Sequence, residues 1–292
     1  MTDEAQTFDL QSHSTFSDGE LAPAEVVAEA ARAGIKLMAL TDHDTVDGVA
    51  TAQDAASGHG IKVGSAVEMS VLDPVAQDLH LLGYLVDPSD AALLDVLQRS
   101  RGDRENRAQR IIAKLETLGL VLDRSLLDAR AVAGKTIGRP HIAEAVFTHP
   151  ANKVRMEDEG LNDATSFLIA YLIEGAPAFV GREAPSIGQA INLIHGAGGV
   201  AVWAHPFWDV DAGPEVLEAL DRFVSVGLDG VEAFYASHSR AQTELLVDRC
   251  EELQLLTTGS ADFHGPNHPH FNRFGAFQTF DRRPHLGPIA DY

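Results

Sequence analysis

The stretch FDLQSHSTFSDG crowds Gln11, His13, Ser14, Ser17 and Asp18 behind the apolar residues of a first strand. The same punctuation recurs along the chain. LMALTDHD delivers His43, VGSAVE delivers Glu68 and DLH delivers His80, while VAVWAHP ends in His205 and LLTTGSADFH in Asp262 and His264. Imidazole and carboxylate together suit divalent transition metals such as zinc, manganese or iron. A sheet cannot bury so many bare polar groups unless something pairs with them. One cation satisfies three or four such groups, and a bridging carboxylate serves two cations. Taken alone, a histidine such as His80 reads as a satisfied core or surface residue. Taken together, ligand-type residues at the ends of six strands predict a site for more than one metal. Alternate residues of a strand share a face, so Asp262 and His264, and likewise Gln11 and His13, can look into one mouth.

The elements that must position these groups follow from hydrophobic period. TFDL, KLMAL, IKVGSAVEMSV and DLHLLGY read as strands, with PAEVVAEAARAG and DGVATAQDAASGHG as helices among the first three. Pro23 suits a first helical turn and Gly34 a C-terminal cap. This alternation predicts βα units and a parallel sheet. From about Ala91 the rhythm stops, and DAALLDVLQRSRGDRENRAQRIIAKLETLG begins a long Arg-rich helix with further short helices after it. It resumes with the helix SIGQAINLIHGAGG, the strand VAVWAHP, the helix GPEVLEALDRFVSVG, the strand DGVEAF, the helix SRAQTELLVDRCEELQ and the last strand, LLTTGSADFH. GAGG lacks the spacing of a dinucleotide loop and reads as a helix stop. The expected fold is an α/β barrel of (β/α) type, residues 1–90 and 185–292, interrupted by a helical, substrate-capping subdomain over 91–184. In barrels of this kind reactive groups sit at the C-terminal ends of the strands. The tail from Gly265, rich in Pro, Gly and aromatics, is expected to wrap the surface.

Composition narrows the class. The 292 residues, 45% hydrophobic and 22% charged, suffice for a large core. A net charge of −21 argues against a broad grip on duplex DNA or anionic membranes, although cations bound in one cleft reverse the local field for a small anion. No apolar run is long enough to span a bilayer, and no secretory signal precedes Phe8. The single cysteine, Cys250, lies in a helical pattern and fits a reducing compartment. The expected location is cytoplasmic, with no protein partner inferable.

The ordered set DLQSHSTFSDG, ALTDHDTVDG, SAVEMS, HLLGY, VAVWAHP and GSADFH resembles the motifs of the PHP (polymerase and histidinol phosphatase) superfamily. GRPHIAEAV and ASHS resemble its branch of small nucleotide phosphatases, which hydrolyse nucleoside 3′,5′-bisphosphates or trim RNA 5′ ends. The resemblance implies a distorted (β/α)₇ barrel holding two to three divalent ions (Mn, Zn or Fe, with Mg also compatible). It implies that His13, Glu68 and Asp262 hold one ion, that Glu68 bridges to a second held by His80 and His205, and that Asp18, His43 and His264 hold a third. Gln11 stands where the family has the first histidine of an HxH pair. An amide oxygen is the weaker ligand for these metals, so the first site is expected to be labile.

The expected chemistry is attack on phosphorus by hydroxide that the metals make available near neutral pH. Glu68 and His238 are the expected catalytic residues, with His238 or water protonating the leaving group. Arg139, His141 and His238 are the expected substrate contacts, since Arg meets phosphate with two parallel hydrogen bonds. Asp42 and Asp44, flanking His43, read as support for ligands. The expected substrate is a nucleoside 3′,5′-bisphosphate, giving an AMP-type product, or a short RNA 5′ end. Three alternatives stand beside it: a phosphatase of another metabolite such as histidinol phosphate, a non-catalytic metal- or nucleotide-binding module, and hydrolysis of carbon–nitrogen bonds.

Overall fold

The structure, a computed structural model, describes residues 7–73, 79–132 and 137–292. It divides into two compact units, one of residues up to Gln98 together with Ala184–Tyr292, the other Arg99–Glu183.

The first unit is built on seven strands: β1 (Phe8–Asp9), β2 (Leu37–Leu40), β3 (Lys62–Val71), β4 (Leu79–Tyr84), β5 (Val200–Trp203), β6 (Gly230–Tyr235) and β7 (Leu256–Ser260). They neighbour one another in chain order. The seam between first and last closes through Leu10 N–H to Gly259 O at 3.1 Å and His13 N–H to Phe263 O at 2.8 Å. Helices α1 (Pro23–Arg32) and α2 (Val49–Ala56) cover the first strands. After α3 (Ala91–Thr117), α4 (Arg124–Val132), α5 (Arg139–Phe147), α6 (Lys153–Asp158) and α7 (Ala164–Tyr171), the barrel resumes with α8 (Ile187–Gly196), α9 (Pro206–Asp209), α10 (Gly213–Ser225) and α11 (Arg240–Leu253). The expected parallel sheet needs one correction. β4 is antiparallel to both β3 and β5, while the remaining pairs are parallel. Only seven residues separate the end of β3 from the start of β4, and only antiparallel neighbours can be joined so briefly.

Strand period sorts the side chains into layers. On β3, Val67, Met69 and Val71 join the outer core beneath the helices, with Trp203, Ile191 and Phe223. Ala66 faces inward with Leu10, Ala39, Leu82, Tyr84, Val202 and Ala204, which fill the lower barrel. Two residues beyond Ala66, Glu68 shares its face and enters the upper, polar layer. The tail does more than wrap the surface. Ile289 is fully buried in the lower layer, and the Tyr292 hydroxyl accepts from Leu85 N–H and donates to Ser65 O, both at 2.9 Å.

The second unit has its own core of Ile111, Leu115, Ile142, Val146, Phe167 and their neighbours. Among the described residues no helix is long and apolar enough to cross a membrane.

Candidate metal centre

The upper layer of the barrel brings together the eight ligand-type residues. Glu68 lies at the middle, with no exposed atom. Its Oε2 is 3.1 Å from His13 Nε2 and 3.5 Å from His43 Nδ1, and its Oε1 is 3.0 Å from His80 Nδ1 and 3.2 Å from His205 Nε2. Asp262 Oδ1 is 3.1 Å from His13 Nε2 and 3.6 Å from His264 Nδ1. Asp18, on the loop after β1, reaches His13 Nδ1 at 3.6 Å and His264 Nε2 at 3.5 Å through one oxygen, and His43 Nε2 at 3.7 Å through the other.

Among the described residues, donor atoms close enough to share an ion form three sets: His13, Glu68 and Asp262; His13, Asp18, His43 and His264; and His43, Glu68 and His80. The first matches the set expected around Glu68 and Asp262. His205 Nε2 lies 3.4 Å from His80 Nδ1, so it adjoins the third set. His43 stands between two sets, with one ring nitrogen toward each.

The site is positioned by backbone and by buried polar support. His80 opens β4 rather than ending a strand, and the reversed direction of β4 brings its first residues to the end of the barrel where the parallel strands finish. His205 and Asp262 hold φ of 29° and 54°, left-handed values that cost non-glycine residues energy and collect at functional sites. The His205 N–H is fixed by Glu232 Oε2 at 3.0 Å. Asp42 accepts from Ser14 N–H and Oγ, each at 2.7 Å, and from Ser17 Oγ at 2.6 Å, fastening the loop that carries Asp18. Asp44 accepts from Ser70 N–H and Oγ, both at 2.9 Å.

The donors fit divalent cations. His13 Nε2, His43 Nδ1 and Asp262 Oδ1 are buried without a hydrogen-bond partner, although two of them lie only 3.1 Å apart. Lone pairs that converge without bonding suit a shared cation, and each buried group left so costs about 1–3 kcal/mol otherwise. Charge compensation points the same way. Burial opposes charging His13, yet the adjacent carboxylates of Asp262 and Glu68 hold its pKa well above the ordinary value. His205 is likewise raised to about 9 by Glu68 against the pull of burial. Burial raises Asp262, but His264 and His13 outweigh it and bring the group to about 2. His43 is instead pushed down to about 3 by burial and offers neutral nitrogens.

Gln11 is buried in the same layer. Its Nε2 donates to Glu68 Oε2 at 3.0 Å, and its Oε1 accepts from Ser260 Oγ at 3.3 Å, so the amide orients Glu68 and turns its oxygen away from it. His238 donates from Nδ1 to Ala233 O at 3.1 Å, which leaves Nε2 as a buried acceptor without a partner. Burial pushes its pKa down to about 4. Arg139 and His141 open α5 in the second unit, where His141 Nδ1 accepts from Gly138 N–H at 3.0 Å and leaves Nε2 as the donor.

Sequence reasoning missed Tyr235, whose hydroxyl donates to Asp262 Oδ2 at 2.7 Å, and Glu232. Both lie on β6, where a lone glutamate in an otherwise apolar run was the available signal for Glu232, while the register shift between Glu232 and Phe234 breaks the two-residue period that would have linked Tyr235 to it. Among the other histidines, His195 pairs with Asp229 at 2.7 Å and His149 accepts from Ala151 N–H at 3.2 Å. His268 comes to the rim, its ring 5.1 Å from His264.

Comparison with known proteins adds names to this geometry. The PHP domain family matches residues 9–118. A 5′-3′ exoribonuclease of Haemophilus influenzae is 34% identical over 89% of this chain and 90% of its own. A 3′,5′-nucleoside bisphosphate phosphatase of Chromobacterium violaceum is 33% identical over 88% of this chain and 87% of its own. A solved structure from Chromobacterium violaceum, described as an amidohydrolase with bound sulfate and no metal, superposes with a TM-score of 0.79. It is 29% identical and covers 98% of this chain and 96% of that one.

Proposed function

The chain belongs to the PHP domain family and is a hydrolase of phosphate esters; we propose that it is a metal-dependent phosphomonoesterase acting on a nucleoside 3′,5′-bisphosphate or on the 5′ end of a short RNA. The observation that carries this reading is Glu68, one buried carboxylate whose two oxygens reach four imidazoles from four different segments. The substrate class rests on likeness to relatives named for nucleoside bisphosphates and for RNA ends.

In this reading His13, Glu68 and Asp262, then Glu68, His80 and His205, then Asp18, His43 and His264, hold divalent cations. Such ions lower the pKa of water and neutralise phosphoryl oxygens. Glu68 sets the spacing of the first two sets. Tyr235 occupies Asp262 Oδ2, which keeps Oδ1 toward His13. His238, neutral and with its Nδ1 proton committed, accepts a hydrogen bond from a substrate hydroxyl or from water, and water protonates the leaving oxygen. Arg139 and His141 bind phosphate, with the N-terminus of α5 contributing its own N–H groups.

We assign two firmly held ions of manganese, zinc or iron, with magnesium compatible, and a weaker first site caused by Gln11. Elemental analysis of the wild type beside Gln11→His tests this: the variant gains affinity or stoichiometry, and equal values for both overturn it.

A second reading, cleavage of carbon–nitrogen bonds, is favoured only by the description of one structural neighbour. Phosphate and amine release from adenosine 3′,5′-bisphosphate, histidinol phosphate, phosphodiesters and amides, assayed with Mn, Zn and Mg, separates the possibilities. Phosphate from the bisphosphate and little from histidinol phosphate is expected. Hydrolysis of amides alone, or of nothing, overturns the proposal.

A further inference from the structure

Beside the metal centre stands a set of aromatic rings that hydrolysis itself leaves unused. Of the two tryptophans, Trp203 is fully buried whereas Trp208, in α9 just after His205, is 55% exposed. Its ring centroid lies 6.5 Å from the His205 imidazole and 5.6 Å from Phe271, with the two aromatic planes inclined at 55°. Phe271 lies 5.6 Å from His264 and stacks on His268 at 5.2 Å. Two aromatic side chains therefore flank residues of the candidate centre, Trp208 beside His205 and Phe271 beside His264. An indole left this exposed forgoes the burial that its large apolar surface favours, and the inclined planes leave ring faces uncommitted to each other.

We infer that Trp208 and Phe271 form the wall on which the base of a nucleotide substrate stacks while its phosphate is held at the centre. The inference rests on the proposed action on nucleotides and deepens it. A nucleobase is the occupant because its flat π face matches the exposed ring, and because one sugar spans the short interval between a phosphate at His205 and a base at Trp208. Stacking on an aromatic platform tolerates every base, since each has a π face. The enzyme should therefore discriminate weakly among adenine, guanine, cytosine and uracil.

The test uses Trp208→Ala, Phe271→Ala and Trp208→Tyr in the full chain, with adenosine 3′,5′-bisphosphate and its abasic analogue as substrates. Both alanine variants should raise KM for the nucleotide about ten-fold or more, with kcat little changed. KM for the abasic analogue should stay the same, and Trp208→Tyr should recover most of the loss. Independently, adenosine 3′,5′-bisphosphate should quench tryptophan fluorescence in the wild type but not in Trp208→Phe, which retains only Trp203. Equal losses on both substrates, a fall in kcat alone, or no quench that depends on Trp208 would overturn the inference. If the wild type cleaved neither bisphosphate, the nucleotide reading would fail, and the quench would still decide the stacking wall separately.

Discussion

Glu68 and Tyr235 show how residue-level chemistry divides into what a reader of the sequence can find and what stays hidden. Glu68 lies within the apolar strand β3 and is legible as a candidate ligand, because a buried carboxylate needs a cationic partner. Glu68→Gln keeps the shape and removes the charge that four imidazoles share. It should lower activity by about 100-fold or more and remove bound metal, as read by phosphate release and elemental analysis, with circular dichroism unchanged. Tyr235 is hidden because its partner, Asp262, lies beyond the end of β7, and only the fold supplies the 2.7 Å bond. Tyr235→Phe keeps the ring and frees Asp262 Oδ2 to turn. We expect a loss of about 10-fold in metal affinity with about 1 kcal/mol in stability, measured by metal titration and by urea denaturation. An equal affinity in wild type and variant would show that Asp262 is held without it. Trp208 was equally illegible, since HPFWDV gives no sign of whether an aromatic after a ligand histidine is buried or exposed.

At the scale of elements, the hydrophobic period located all seven strands and the longer helices that cover the barrel, and erred over direction. β4 contains its candidate ligand at the second position, His80, so a parallel β4 would have carried that imidazole to the far end of the barrel. The β3–β4 pairing reverses the strand and returns His80 to within 3.0 Å of Glu68. Direction is a pairing property, and a single strand's pattern of burial reads the same both ways. Close pairing also makes a prediction. Gly259 faces Phe234 across β6 and β7, and an added Cβ would lie 2.7 Å from Phe234 Cβ and 2.8 Å from its carbonyl oxygen. Backbone cannot step aside cheaply, so Gly259→Ala should destabilise the protein by about 1–3 kcal/mol, visible as a lower urea midpoint with an unchanged slope.

For the whole molecule, net charge −21 sets a long-range field that disfavours polyanions. Duplex DNA should show no retarded complex at about 0.1 M salt, an outcome checked by mobility shift; a salt-sensitive complex would mean that a basic surface outweighs the total. What the amino-acid order determined by itself was chemical type and period: which residues can ligate, which faces are apolar, and where a helical insertion interrupts the barrel. Those are local properties, carried by side-chain identity and by spacings of two or of three to four residues. What the tertiary structure decided was convergence: the reversed β4, the Gln11 amide turned onto Glu68, the Tyr235 bond to Asp262, and the tail returning to bury Ile289 beneath the barrel. Each depends on contacts between segments distant in the chain, and such contacts are selected only when the core closes and every buried polar atom must find a partner.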